Sequence, residues 1–147
     1  MKEGIGGTFM IYVLLIFLAV YITFLAVAFN YARAFRVKNK VIDIIEQNEG
    51  ISDYTDISES SVLGQIDNYL GQVSYIVNGI DSKKCLGYDY INSNRGYCID
   101  EYSATNNGIT SKYYKVMTFV RLEIPFMDLG FTIPVKGETR KIERING

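Results

Sequence analysis

Residues Phe9 to Phe29 read FMIYVLLIFLAVYITFLAVAF, twenty-one positions without a charge. As a helix this run is about 31 Å long, the thickness of a bilayer's hydrocarbon core. Only Tyr12, Tyr21 and Thr23 interrupt it. A helix apolar on every side must be covered on every side, and a chain of 147 residues has little else to cover it with. The run therefore predicts a transmembrane segment over 9–29, after a short leader, 1–8. Tyr12 and Tyr31 suit the two aromatic belts of a membrane. Tyr21 falls mid-span, where its hydroxyl needs a partner such as a neighbouring helix. A cleaved signal peptide is the competing reading, because Ala26-Val27-Ala28 has the small-x-small form of a cleavage site. The apolar run ahead of that site exceeds a usual signal core of about 7–15 residues. Lys2 is offset by Glu3, and the helical pattern runs on past the site. These features favour a retained anchor.

Beyond the span, residues 30–50 continue as an amphipathic helix. Ala34, Val37, Val41, Ile44 and Ile45 recur at spacings of three and four and form a packing stripe. Arg33, Arg36, Lys40, Asp43 and Glu46 lie mostly off it. Gly50 is placed to end a helix of about 40 residues.

Residues 51–147 have a different composition. Between positions 41 and 105, eleven acidic residues face three basic ones, a regional charge of −8. Residues 1–40 carry +4 and residues 106–147 carry +3, so the net −1 conceals three zones. Ile51–Ile57 reads as a polar connector. A second helix is predicted from Glu59 to about Val77, capped by Asp56 or Ser58 with Glu59 as a capping box, and ended by Asn78-Gly79. Leu86–Ile91 and Tyr97–Tyr102 read as short strands around Asn92–Gly96, and Thr105–Gly108 as a loop. Residues 112–126 give the clearest strand. Tyr114, Val116, Thr118, Val120, Leu122, Ile124 and Phe126 alternate on one face, and Tyr113 to Glu123 on a half-wet one. Met127–Gly130 is a turn, and a last strand from Phe131 to Thr139 carries Pro134, which argues for an edge. The whole is α+β: a long N-terminal transmembrane and amphipathic helix, a second helix, and a small antiparallel sheet.

Two signals bear on orientation and disagree. Arg33, Arg36, Lys38 and Lys40 follow the span closely, which favours a cytoplasmic domain by the positive-inside rule. Cys85 and Cys98 flank a turn-rich stretch, and a local disulfide there belongs in an oxidising compartment. Such a ring contributes about 3 kcal/mol in the loop-entropy model. Two free thiols in a cytosolic domain are the alternative; the extracytoplasmic reading is preferred.

The chain contains no His. That removes the commonest general base and metal ligand, and every Ser–His or Cys–His nucleophile pair. Two Cys alone make no four-Cys zinc site. Gly4-Ile5-Gly6-Gly7 follows no strand and is no nucleotide motif. Asp53, Asp56 and Glu59 lack the spacing of a calcium loop and read as a solvated face. Asp100 and Glu101, adjacent in a strand, point to opposite faces. The expectation is a protein that is not an enzyme, with no cofactor, no metal site and no nucleic-acid partner. Tyr88, Tyr90, Tyr97 and Tyr102 cluster near the cysteines and are a candidate binding surface for glycan or protein, set against ordinary cross-strand packing.

A short glycine-bearing leader, an apolar helix half, an amphipathic half and a sheet domain together resemble the type IV pilin plan. Within it the chain is most similar to the minor pilin-like membrane proteins of tight-adherence pilus loci, where a polar residue and an Arg closely follow the span as Asn30 and Arg33 do. A typical prepilin is cut after a Gly and carries Glu at the fifth mature position. Cuts after Gly4 or Gly7 place Phe9 or Tyr12 there. The resemblance implies a single-pass, outward-facing structural subunit in the cell membrane. Its partners would be the membrane, other pilin-like subunits and pilus assembly proteins. A membrane-anchored extracellular binding module, an adhesin or sensor, is the alternative.

Overall fold

A computed structural model of the chain describes residues 2–77, 80, 82–123 and 129–145. One helix, α1 (Lys2–Gln47), is followed by α2 (Val62–Gln72) and a single 3-10 turn at Ser82–Cys85. The strands β1 (Tyr90–Asn92), β2 (Tyr97–Asn106), β3 (Ile109–Glu123), β4 (Gly130–Glu138) and β5 (Ile142–Ile145) complete the domain. They form an antiparallel sheet in the order β1-β2-β3-β4, with β5 pairing the start of β3. The architecture is the α+β arrangement that the sequence predicts.

Helix α1 spans 46 residues, about 69 Å. It starts at Lys2, so the glycine-bearing leader is helical too, and Thr8 Oγ1 donates to the Gly4 carbonyl at 2.8 Å. Its end differs by one residue from the prediction. Glu49 takes the left-handed position (φ 55°), and Gly50 follows at φ 102°. Glu49 N–H donates to the Glu46 carbonyl and Gly50 N–H to the Ile45 carbonyl. This closes the last turn as a Schellman motif.

The predicted stripe is the buried face of α1: Ala34, Val37, Val41, Ile44 and Ile45 are all in the core. Lys38 is buried with them, its stem along the sheet and its ammonium 4.0 Å from the Phe35 ring centroid. The helix runs antiparallel to β3. At one end Thr118 Oγ1 donates to the Ala34 carbonyl, and Ala34 packs with Val120 and Val135. Midway, the missing side chain of Gly137 leaves room for the ends of Lys38 and Ile42. At the other end the Tyr114 hydroxyl accepts from Ile51 N–H at 3.0 Å.

The opposite face of the sheet is also covered. Cys98 pairs with Met117 in register, so both point away from α1, and both are buried with Cys85, Tyr75 and Phe119. The face of β3 predicted to be half wet is therefore dry at Met117 and Phe119. The segment after α2 lies over it, and this segment has no periodic pattern to read. Helix α2 is shorter than predicted. Ser61, not Asp56 or Ser58, is its N-cap, accepting from Gly64 N–H at 3.0 Å. Asp56 instead accepts from Ser58 N–H in the turn before it. The helix stops at Gln72 because Ser74 turns left-handed (φ 50°). Ser74 N–H donates to the Gly71 carbonyl and Tyr75 N–H to the Leu70 carbonyl, a second Schellman ending. The predicted stop at Asn78-Gly79 lies outside the described residues.

The first strand is only Tyr90–Asn92, since the 3-10 turn and the left-handed Gly87 (φ 90°) precede it. Strand β2 runs on to Asn106, and the predicted loop contracts to Asn107-Gly108. Both turn residues have positive φ, as a two-residue hairpin turn of this twist requires. Strand β4 is an edge, as Pro134 predicts. β5 was not expected. Ile124, Phe126 and the Met127-Asp128 half of the predicted turn lie outside the described residues.

Candidate functional site

The largest exposed feature is the first half of α1. Its most apolar window has none of its residues buried. Phe9, Phe17, Phe24 and Phe29 are each about two-thirds to three-quarters exposed, and most of the other large apolar residues of the run are 38–74% exposed. Water around this surface would cost about 25 cal/mol for each Å². By length and composition the helix could cross a membrane.

Where that surface ends, a cationic shelf begins. Arg33 Nη2 donates to the carbonyls of Val73 and Ser74, at 2.6 and 2.7 Å. The guanidinium thus clasps the chain leaving α2 and neutralises the carbonyl end of that helix. Arg33, Asn30 and Arg121 line a shallow cavity of about 110 Å³ floored by Tyr75, Phe119 and Val120.

The candidate tyrosines do not form one surface. Tyr97 is fully buried on the sheet face that α1 covers, in register with Thr118. Its ring lies 5.9 Å from that of Tyr90, which stacks in turn on Tyr54 at 6.2 Å. The Tyr97 hydroxyl sits beside Tyr90 and Asn92 with no well-aligned hydrogen bond among the described residues, and burial pushes its pKa far up. Tyr102 is on the opposite face, stacked on Tyr113 at 5.0 Å with the Lys115 ammonium 4.3 Å from its ring centroid. Tyr88 is half-buried against the core, and that burial raises its pKa. Parity explains the split: positions 97 and 102 of one strand differ by an odd number, so their side chains leave on opposite faces. What stays partly exposed is the Tyr102–Tyr113–Lys115 platform.

Two polar arrangements were not read from the sequence. Tyr54 donates to Glu101 Oε2 at 3.0 Å, and Lys112 Nζ reaches Glu101 Oε1 at 2.7 Å. Burial, then the Glu101 carboxylate, holds the Tyr54 hydroxyl far above its ordinary pKa. The group pins the acidic connector to β2 and β3. On the other side Arg95 Nε donates to Asp67 at 3.0 Å, tying the β1–β2 turn to α2. Asp53 accepts from the Thr55 amide and hydroxyl, which lower its pKa. Among the described residues no group of three or more His, Cys, Asp or Glu could hold a metal ion.

Cys85 and Cys98 form a disulfide, with Cα atoms 6.2 Å apart and both residues fully buried. It fastens the 3-10 turn to the sheet face opposite α1. Comparison of the chain with protein-family models, curated proteins and solved structures finds no match.

Proposed function

We propose that this chain is a membrane-anchored, pilin-like structural subunit of a pilus or secretion apparatus, with its sheet domain outside the cytoplasm. The observation that carries the reading is the division of α1. One unbroken helix is bare and apolar through its first half and buried against a sheet through its second. A bare half is suited first to lipid and then to copies of itself along a filament core. The disulfide supports an oxidising location. The absence of His from the whole chain supports a structural rather than a catalytic role.

The test is recovery of the protein from membranes under mild detergent. Co-purification with a pilus ATPase, a platform protein or a major pilin is expected. A lone monomer without any of these overturns the assembly role. Protease access in intact cells, with thiol alkylation before and after reduction, tests the location. Free thiols on a protected domain overturn it.

A second reading, a membrane-anchored binding module, is favoured by one feature, the partly exposed Tyr102–Tyr113 stack with Lys115. Under that reading Tyr102→Ala abolishes surface binding of glycan or protein while membrane extraction and folding stay unchanged.

A further inference from the structure

The direction of β3 fixes which end of the sheet faces the span. Tyr114 is level with Ile51, and Val120 is level with Ala34. The strand therefore climbs towards the apolar half of α1. Leu122, two residues further, lies about 7 Å above Val120, the rise of four or five helical residues. That brings the Leu122–Phe131 pair level with Phe29 and Asn30, where the uncharged run ends.

Among the described residues, this end of the sheet carries two half-exposed apolar side chains. Leu129 and Phe131 are each 50% exposed. Cations surround it. Arg33 lies four residues beyond Phe29 on α1. Arg121 is on the face away from α1, beside Glu123 at 2.8 Å. Lys84 reaches across from the 3-10 turn to donate to the Thr132 carbonyl at 2.7 Å. An apolar tip with a basic collar, held at the level where a span leaves the bilayer, has the chemistry of an interfacial membrane contact.

We propose that Leu129 and Phe131, at the start of β4, form a second membrane-contact site. Leu129 and Phe131 seat at the boundary of headgroups and acyl chains of the bilayer that α1 spans, and Arg33, Lys84 and Arg121 engage anionic phospholipid headgroups. The site rests on the reading of α1 as a membrane anchor. It gives the domain a fixed posture on the membrane before any assembly.

The chain has no Trp, so one introduced indole reports alone. Full-length Phe131→Trp, Phe24→Trp and Ile109→Trp proteins are reconstituted into vesicles of lipid brominated near the headgroup end of the acyl chain. Vesicles contain either phosphatidylcholine alone or added phosphatidylglycerol. Trp at position 131 is expected to lose roughly half its emission, and more in the anionic vesicles. Trp at 109, at the far end of β3, is expected to lose none, and Trp at 24 reports the span. Leu129→Trp serves as a second tip reporter if Phe131→Trp misfolds. Quenching at 24 but at neither 131 nor 129 overturns the tip contact and leaves the anchor standing. No quenching at 24 overturns both. Equal quenching at 131 in the two vesicle types overturns the anionic-lipid assignment. A blue shift at 131 that depends on protein concentration and not on brominated lipid assigns the tip to a second copy and overturns the membrane site.

Discussion

The hydroxyl of Tyr75 bonds both backbone polar groups of Phe119. It accepts from the amide at 3.0 Å and lies 2.8 Å from the carbonyl oxygen, to which it donates. The carbonyl of Gly96 is also within reach, at 3.3 Å. β2 begins at Tyr97, paired with Thr118, so the next residue of β3 has no strand partner on that side. One phenol stands in for it. Because Phe119 directs its backbone groups there, it needs no amide from Pro134, the residue opposite it on β4.

Tyr75→Phe keeps the ring and removes this substitute partner. Two buried backbone groups lose a bond, so the expected loss of stability is about 2–3 kcal/mol. Urea unfolding of the detergent-solubilised protein should show a lower midpoint with an unchanged slope. An unchanged midpoint would mean that water replaces the phenol.

Alkali should unfold the protein through its tyrosines. Burial pushes Tyr75 from 10.0 up to about 12, and burial also raises Tyr54, Tyr97 and Tyr114. A raised folded-state pKa gives stability that is fully present below pH 10 and is lost as the pH climbs towards the folded value. Stability should hold level to about pH 10 and then fall steeply. Absorbance of phenolate and circular dichroism, followed together, should change in one step.

Breaking the disulfide should cost about 3 kcal/mol, the loop-entropy contribution of a ring this size. Cys85→Ser with Cys98→Ser lowers the melting temperature by that measure. Both sulfurs are buried, so the native protein should resist alkylation after brief exposure to reductant and become labelled in denaturant.

Ser74 holds a left-handed conformation that glycine adopts without strain. Ser74→Gly should stabilise the domain by about 0.5–1 kcal/mol. Gly50→Ala should do the reverse. Its backbone is also left-handed, and a new Cβ would stand 2.5 Å from the Tyr114 hydroxyl oxygen. Paired thermal melts decide both.

Arg33→Ala removes the clasp on Val73 and Ser74. The side chain is exposed, so the cost is modest, about 1 kcal/mol after solvent screening. The local effect should be larger than the global one. Amide exchange should quicken around residues 73–77 while α1 stays protected.

The helix was legible because its signals are periodic or continuous: an uncharged run, then a stripe whose five residues are all buried. β3 was legible by alternation, and the turn at Asn107-Gly108 lay within the predicted loop. What escaped was whatever covers an element without repeating. Met117 and Phe119 look solvent-facing until Tyr75 and Cys85 are laid over them, and no local pattern announces that contact. The tyrosine cluster was read from nearness in sequence. Strand parity, already present in the numbers 97 and 102, separates it into a core residue and a partly exposed stack. Lys38 entered the sequence reading only as a cation following the span, and a charge count carries no sign that its four-carbon stem is buried.

The continuity of α1 has a mechanical consequence. On the proposed reading of α1 as an anchor, with no break between span and domain, the sheet would be bolted to the membrane rather than tethered to it. From Phe29 to Gln47 the axis advances about 27 Å, so a tilt of about 20°, ordinary for a spanning helix, swings the far end of the helix sideways by about 9 Å. Anything that alters the tilt, a thinner bilayer or a neighbouring helix, would be read out as a displacement on the other side. On that reading the rod would act as a lever whose fulcrum is the headgroup layer.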